Sequence, residues 1–195
     1  MRPNKVMLRL ILAFAAYIIF LGMIQVTLPS GFALWGAKPD LLLVLAVLSG
    51  YMFGQRDGVV VGLSAGFFRD IMAGRALGLG MLLLMYSALF ASFAFRRFFR
   101  RNIMMGIVQV AMATVLYQIV ITGLQFIVPI LPGVSYTMTS LFRLMIIGLP
   151  GILLVNILAG VPMIFLLNYF GPYQRGSRND DQDDAIVGDS LWQVK

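Results

Sequence analysis

The chain has 195 residues, of which 60% are hydrophobic and only 12% are charged, and its formal net charge is +7. A soluble domain typically carries about 45–50% apolar and about 25% charged residues, so this composition indicates a polytopic membrane protein. Cysteine and histidine are absent and every acid is an Asp, which excludes disulfides, imidazole bases and His/Cys metal sites. Basic residues beside membrane spans explain the positive charge better than nucleic-acid binding does, so no nucleic-acid partner is predicted.

Apolar segments predict three membrane helices in the first part of the chain. The first covers about residues 6–28 and is longer than the apolar core of a cleaved signal peptide, so we interpret it as a retained helix. The second begins at Lys38-Pro39-Asp40 and runs to about residue 54. Pro39 suits a first helical position, and Asp40 suits a first turn. A tight turn over residues 55–58 leads into the third helix, which reaches Gly74.

Three further helices are predicted after residue 74. The fourth covers about residues 77–95 and stops at RRFFRR, residues 96–101, whose charges mark the end of a span. The fifth covers about residues 103–128, and residues 130–143 form a loop or in part an interfacial helix. The sixth, about residues 144–170, is expected to be bent or broken by Pro150 and Pro162. These elements make one transmembrane domain, residues 1–170, followed by a polar, acidic tail, residues 171–195, that is expected to be disordered.

The positions of the basic residues predict the orientation of the six helices. If both termini are cytoplasmic, the inner side holds Arg2, Lys5, Arg9, Arg56, Arg96, Arg97, Arg100, Arg101, Arg175, Arg178 and Lys195. The outer joints then hold Lys38, Arg75 and Arg143. This bias follows the positive-inside rule and predicts a multi-pass protein with both ends in the cytoplasm.

Glycines recur at every fourth position through the third helix. Residues four apart share one helix face, so the run of small residues places one acid, Asp70, on a packing face that meets protein rather than lipid. Asp70 either caps a neighbouring backbone and locks the bundle, or it lines a pathway or a partner-binding groove. The sequence favours neither interpretation. The stripe consists of Gly58, Gly62, Gly66, Asp70, Gly74 and Gly78.

Other polar residues also lie inside the predicted spans. Arg69 is about 100° around the helix from Asp70, so the two neighbours do not simply pair with each other. On the fifth helix a polar face is expected to pack internally, with a partner contact as the alternative. Asn156 is predicted to point inward from the sixth helix. The polar face of the fifth helix consists of Thr114, Gln118, Thr122 and Gln125.

The stretches KPDLLLVLAVLSGYMFG and GFFRDIMAGRALGLG, within residues 38–95, resemble the rod shape-determining protein MreD family. That family has a Pro-Asp or Pro-Asn at the start of the second span, matched by Pro39 and Asp40. It also has a Gly-x-x-x-Asp element that continues to Gly-x-x-Leu-Gly. Gly66, Asp70, Gly74, Leu77 and Gly78 match it here. Arg69 departs from the apolar residue that the family usually has before the Asp. An Asn and a Pro in the last span, Asn156 and Pro162, also fit.

The resemblance implies a non-enzymatic subunit of the bacterial cell-elongation machinery, in the plasma membrane and in contact with membrane lipid. Its implied partners are MreC, MreB, RodA and a penicillin-binding transpeptidase. The implied fold is similar to the six-helix substrate-binding subunits of energy-coupling-factor transporters. The alternative function is therefore a small-molecule-binding subunit of such a vitamin transporter. A deep outward pocket would favour that alternative, and a closed groove with an apolar lateral face would favour a scaffold.

An enzyme is the least favoured class of protein. The body of the chain contains three acids, Asp40, Asp57 and Asp70, and they form no two-metal or phosphate-loop pattern. No catalytic residue, metal site or cofactor is predicted.

Overall fold

The computed structural model describes residues 3–29, 33, 36–74, 78–94, 103–127 and 138–171. These residues form six α-helices, which confirms the predicted helical membrane bundle. RRFFRR, Arg75 and the tail from residue 172 lie outside the described residues. The helices are α1 (Pro3–Thr27), α2 (Leu41–Phe53), α3 (Gln55–Ala73), α4 (Leu79–Ala94), α5 (Ile103–Ile127) and α6 (Met138–Phe170).

The helices differ in length and in apolar character, the two properties that a membrane crossing requires. Within the described residues, three stretches are long and apolar enough to cross one: Leu8–Thr27 in α1, Ile103–Leu124 in α5 and Met145–Phe170 in α6. Helices α2 and α4 are apolar but shorter, at 13 and 16 residues. Helix α3 carries charged residues at both ends. Six crossings therefore remain a prediction, although a membrane bundle fits all six helices.

Helix α2 is the centre of the bundle. A helix that is apolar on every side must be enclosed on every side, and the residues from Leu42 to Gly50 are all buried. Helix α2 accordingly contacts every other helix. Its predicted start was wrong in detail, because Asp40 is the N-cap and Pro39 precedes it. The Asp40 side chain accepts a hydrogen bond from the Leu43 N–H at 3.2 Å, which satisfies a donor that the first turn leaves free.

The glycine stripe lets α3 approach α2 and α4 to backbone contact. A Cβ atom added to Gly58 would lie 2.6 Å from the Cα of Gly50 in α2. One added to Gly62 would lie 2.8 Å from the Cα of Met85 in α4, and one added to Gly66 would collide with the backbone of Gly80 and Met81. The stripe from Gly58 to Asp70 is therefore covered by neighbouring helices, whereas Gly74 is exposed and a Cβ atom there would meet nothing within 4 Å. The covered part is a packing surface of the kind that small residues form in membranes.

Helix α6 is continuous through both prolines, so it is not broken there; a bend, the other predicted outcome, stays a prediction. Pro150 and Pro162 both lie inside the helix and both are exposed, so neither ring presses against a neighbouring helix. Each proline removes one backbone hydrogen bond, but in lipid the remaining backbone groups have no better partner than the helix itself. Of the segment 130–143, predicted as a loop or in part a helix, the described residues from Met138 onward are helical and belong to α6.

Candidate functional site

The Asp70 carboxylate caps the start of α4. Its Oδ2 accepts hydrogen bonds from the N–H groups of Gly78 at 2.9 Å and Met81 at 3.4 Å, and the Gly80 N–H lies 3.0 Å from both carboxylate oxygens. The first N–H groups of a helix have no partner within it and carry its positive dipole end. A carboxylate satisfies both needs, which explains how Asp70 can be only 4% exposed.

Glycines make room for this cap. Gly74 ends α3 in the left-handed conformation, with φ 57°, and Gly78 precedes α4 with φ 115°. Side chains rarely adopt such angles. A Cβ atom on Gly80 would collide with the Asp70 carboxylate itself, so the hydrogen bond requires a glycine at that position. The sequence alone gave Gly74 and Gly78 a place in the stripe, but it did not distinguish Gly80.

The neighbouring Arg69 points to a different part of the bundle. Its Nη1 lies 2.8 Å from Oδ2 of Asp40, and the two side chains are only 22% and 13% exposed. The guanidinium also lies over the ring of Tyr117 in α5, with Cζ 5.2 Å from the ring centroid, which is a favourable cation–π distance. The prediction that Arg69 does not pair with Asp70 holds, but its actual partner was not identified from the sequence.

Asp40 connects the remaining helices. Its Oδ1 accepts a hydrogen bond from Nε2 of Gln25 in α1 at 3.2 Å, and its backbone N–H donates to Oδ1 of Asn156 in α6 at 2.8 Å. The Nδ2 group of Asn156 donates in turn to Oγ1 of Thr114 in α5 at 3.2 Å. Asn156 is fully buried, as predicted for an inward-facing residue. We call these residues, with Arg69 and Tyr117, the Asp40 network.

Two adjacent residues of α3 thus reach every other helix, either directly or through Asp40. Asp70 holds α4, while Arg69 holds the start of α2, rests on α5, and is linked through Asp40 to α1 and α6. Removing one member of this partly buried ion pair is destabilising, because the other charge is left poorly solvated. The arrangement therefore suits a structural lock.

The remaining predicted polar residues are Gln118, Thr122 and Gln125 of α5. Gln118 is half-buried and lines a cavity of about 260 Å³ beside the Asp40 network. Thr122, one turn further along α5, is also half-buried. The side chain of Gln125 lies outside the described residues. Of the predicted polar face of α5, Thr114 therefore belongs to the network and Gln118 lies beside it.

Sequence reasoning missed three residues of the site, Gln25, Tyr117 and Gly80, and it also missed the buried Gln109. Gln25 stands in an apolar helix, where a lone amide is itself a signal of an inward polar contact. Gln109 in α5 is fully buried, and within the described residues neither of its side-chain polar atoms has a hydrogen-bond partner.

The described residues form a bundle of apolar helices that buried polar side chains join at one end. This is the structure of a helical membrane protein. A family model described as rod shape-determining protein MreD matches residues 5–170. The chain belongs to that family, which confirms the resemblance seen in its second and third helices. Searches of curated proteins and of solved structures found no match. The expected likeness to energy-coupling-factor subunits therefore stays a prediction.

Proposed function

We propose that this protein is a non-enzymatic scaffold of the bacterial cell-elongation complex, which docks MreC and thereby helps to gather the enzymes of wall synthesis. Family membership supports a rod-shape role in association with other components of that machinery. The observation that carries the proposal is that the charged side chains of this site contact other parts of the bundle itself. Arg69, Asp40 and Asp70 are all engaged in contacts within the bundle, which stabilise a surface instead of performing a reaction.

The docking surface in this proposal is the outward face of α3. Its inner face, with the glycines and Asp70, is covered by α2 and α4. The opposite face exposes Val60, Phe67 and Ile71 by 56%, 48% and 50%. In a bilayer, close packing and shape drive helix association, and the Asp70 cap and the Arg69 ion pair hold this face at a fixed angle. We infer that the membrane helix of MreC lies along it.

A matched pair of double variants tests this surface. Phe67→Ala with Ile71→Ala removes two large side chains at positions i and i+4 of α3. Phe142→Ala with Ile146→Ala removes the same two residue types at the same spacing on α6, where they are 66% and 58% exposed. The α3 variant should reduce MreC co-purification about tenfold or more, the equivalent of about 1.4 kcal/mol, and rod-shaped cells should become round.

The α6 variant should retain MreC and cell shape, and both variants should reach the membrane at wild-type levels. If the α3 variant retains MreC as the wild type does, the outward face of α3 is not the docking surface. Co-purified proteins also test the wider complex, in which we expect MreB, RodA and the penicillin-binding transpeptidase.

The proposal includes six crossings with both termini in the cytoplasm. The basic residues at one set of joints support this orientation. Reporter domains fused after residues 101 and 195 should read cytoplasmic, and one fused after residue 133 should read extracytoplasmic. An extracytoplasmic reading after residue 101 would contradict the six-span arrangement.

A vitamin-transporter subunit remains the second candidate, because the cavity beside the Asp40 network is polar. Its volume of about 260 Å³ is below the range of about 300–1,000 Å³ that small-molecule sites usually occupy. Co-purification of transporter ATPases, in place of the wall-synthesis proteins, would support this candidate over the scaffold.

A further inference from the structure

Two cavities of opposite character meet at Tyr117. The first is the polar cavity beside the Asp40 network, of about 260 Å³, and the second is a mostly apolar slot of about 370 Å³ between α4 and α5. Tyr117 lines both. Polar side chains that line the first include Lys38, Asp40, Arg69 and Gln118. Side chains that line the slot include Leu83, Ser87 and Phe90 of α4 and Ala113 and Val120 of α5.

The charges that line the polar cavity favour an anion. Lys38 and Arg69 are positive and Asp40 is the one acid among the lining residues that are described. Asp40 is already occupied by Arg69 and Gln25. Lys38 is exposed, and its ammonium group donates to the Leu28 carbonyl at 2.9 Å, which leaves two further donors on the same nitrogen.

The slot has the dimensions of an acyl chain rather than of a helix. Leu83 and Phe90 are seven positions apart along α4, which corresponds to about 10 Å at 1.5 Å per residue. A membrane helix is itself about 10–12 Å wide and needs about 30 Å of length to cross. A free anion, in turn, would gain nothing from apolar walls.

We propose that the two cavities bind one anionic phospholipid. The headgroup phosphate lies in the polar cavity, near Lys38 and Arg69, and one acyl chain lies in the slot between α4 and α5. Tyr117, with a polar tip on an apolar ring, lies where the headgroup meets the chain, as amphipathic aromatic residues do at membrane interfaces. This inference goes beyond partner docking and does not depend on it.

Binding can be measured by native mass spectrometry on the purified full-length protein in a neutral detergent. The probes are phosphatidylglycerol, zwitterionic phosphatidylcholine and soluble glycerol 3-phosphate. Phosphatidylglycerol should bind in preference to phosphatidylcholine. Lys38→Gln should weaken phosphatidylglycerol binding about fivefold, the contribution of one basic residue near anionic lipid, and Arg143→Gln, at an exposed residue that does not line the cavity, should leave it unchanged.

Ser87→Phe fills the slot and should weaken phosphatidylglycerol binding at least about tenfold, since two lost methylene contacts already have that effect. The matched control is Ala16→Phe at an exposed position of α1, which should bind phosphatidylglycerol as the wild type does. The proposal is overturned if phosphatidylcholine binds equally well, if glycerol 3-phosphate binds as tightly as the lipid, or if Lys38→Gln has no effect. It is also overturned if folded Ser87→Phe protein keeps its lipid but loses MreC, because the slot would then hold a protein helix.

Discussion

Helix α4 has two very different sides. Against α3 it makes backbone contact, because Gly62 and Gly66 leave no side chain between the two helices. Against α5 it leaves a slot of about 370 Å³, which Tyr86, Phe90 and Tyr117 help to line. Close packing of small residues stabilises a membrane helix pair through van der Waals contact, and that contact is lost where a slot separates two helices. The α3–α4 pair is therefore the rigid part of the molecule, and the α4–α5 boundary is the part open to a ligand.

The largest effect is expected from a side chain inserted into the rigid pair. Gly66→Leu places a branched side chain against the backbone of Gly80 and Met81, and overpacking at a backbone contact should reduce the free energy of unfolding by about 3 kcal/mol or more. Thermal unfolding in detergent should show a much lower midpoint or no folded protein. Gly123→Leu on α5 is the control, because a Cβ atom there meets nothing within 4 Å.

The second-largest effect is expected from loss of the Asp70 cap, which joins α3 to α4. Asp70→Ala leaves the Gly78 and Gly80 N–H groups without their acceptor and should lower the free energy of unfolding by about 2 kcal/mol. Asp70→Asn keeps one side-chain oxygen and should lose about half as much. Equal unfolding midpoints for the wild type and Asp70→Ala would contradict the cap, and MreC co-purification with Asp70→Asn would show whether the charge also matters for docking.

A smaller effect is expected from loss of the ion pair between Arg69 of α3 and Asp40 at the start of α2. Arg69→Leu leaves Asp40 without its cation, and Asp40→Asn removes the charge. A double-mutant cycle of these changes should give a coupling energy of about 1 kcal/mol or somewhat more, because the pair is partly exposed. A coupling energy near zero, from unfolding measured under the same conditions, would show that the ion pair adds nothing beyond the hydrogen bonds of Asp40.

The smallest effect should be a gain in stability on the α5 side. Within the described residues, the side-chain amide of Gln109 lies buried without a hydrogen-bond partner. Gln109→Met keeps the length of the side chain and removes the polar group, which should raise the free energy of unfolding by about 1 kcal/mol. Gln118→Met, at a half-buried residue lining the polar cavity, should bring no such gain. A lower unfolding midpoint for Gln109→Met would mean that the amide has a partner.

The sequence by itself determined the class of protein and the faces of its helices. Long apolar segments have no stable conformation in a membrane other than a helix, so six helices could be predicted. Two starts were wrong: the predicted turn over residues 55–58 is the first turn of α3, and α6 begins at Met138 instead of about residue 144. The four-residue glycine spacing fixed which side of α3 meets protein, because periodicity alone decides which residues share a helix face. It also left Asp70 on that side, and the structure finds it buried.

Only the tertiary structure decided what each polar group contacts. Arg69 and Asp40 are far apart in sequence, and no periodicity within one helix predicts a pair between two helices. The requirement for Gly80 arises from a carboxylate ten residues earlier, and the continuity of α6 through Pro150 and Pro162 is visible only in the structure. Local patterns determine the faces of helices, whereas the partner of a buried charge depends on which faces meet.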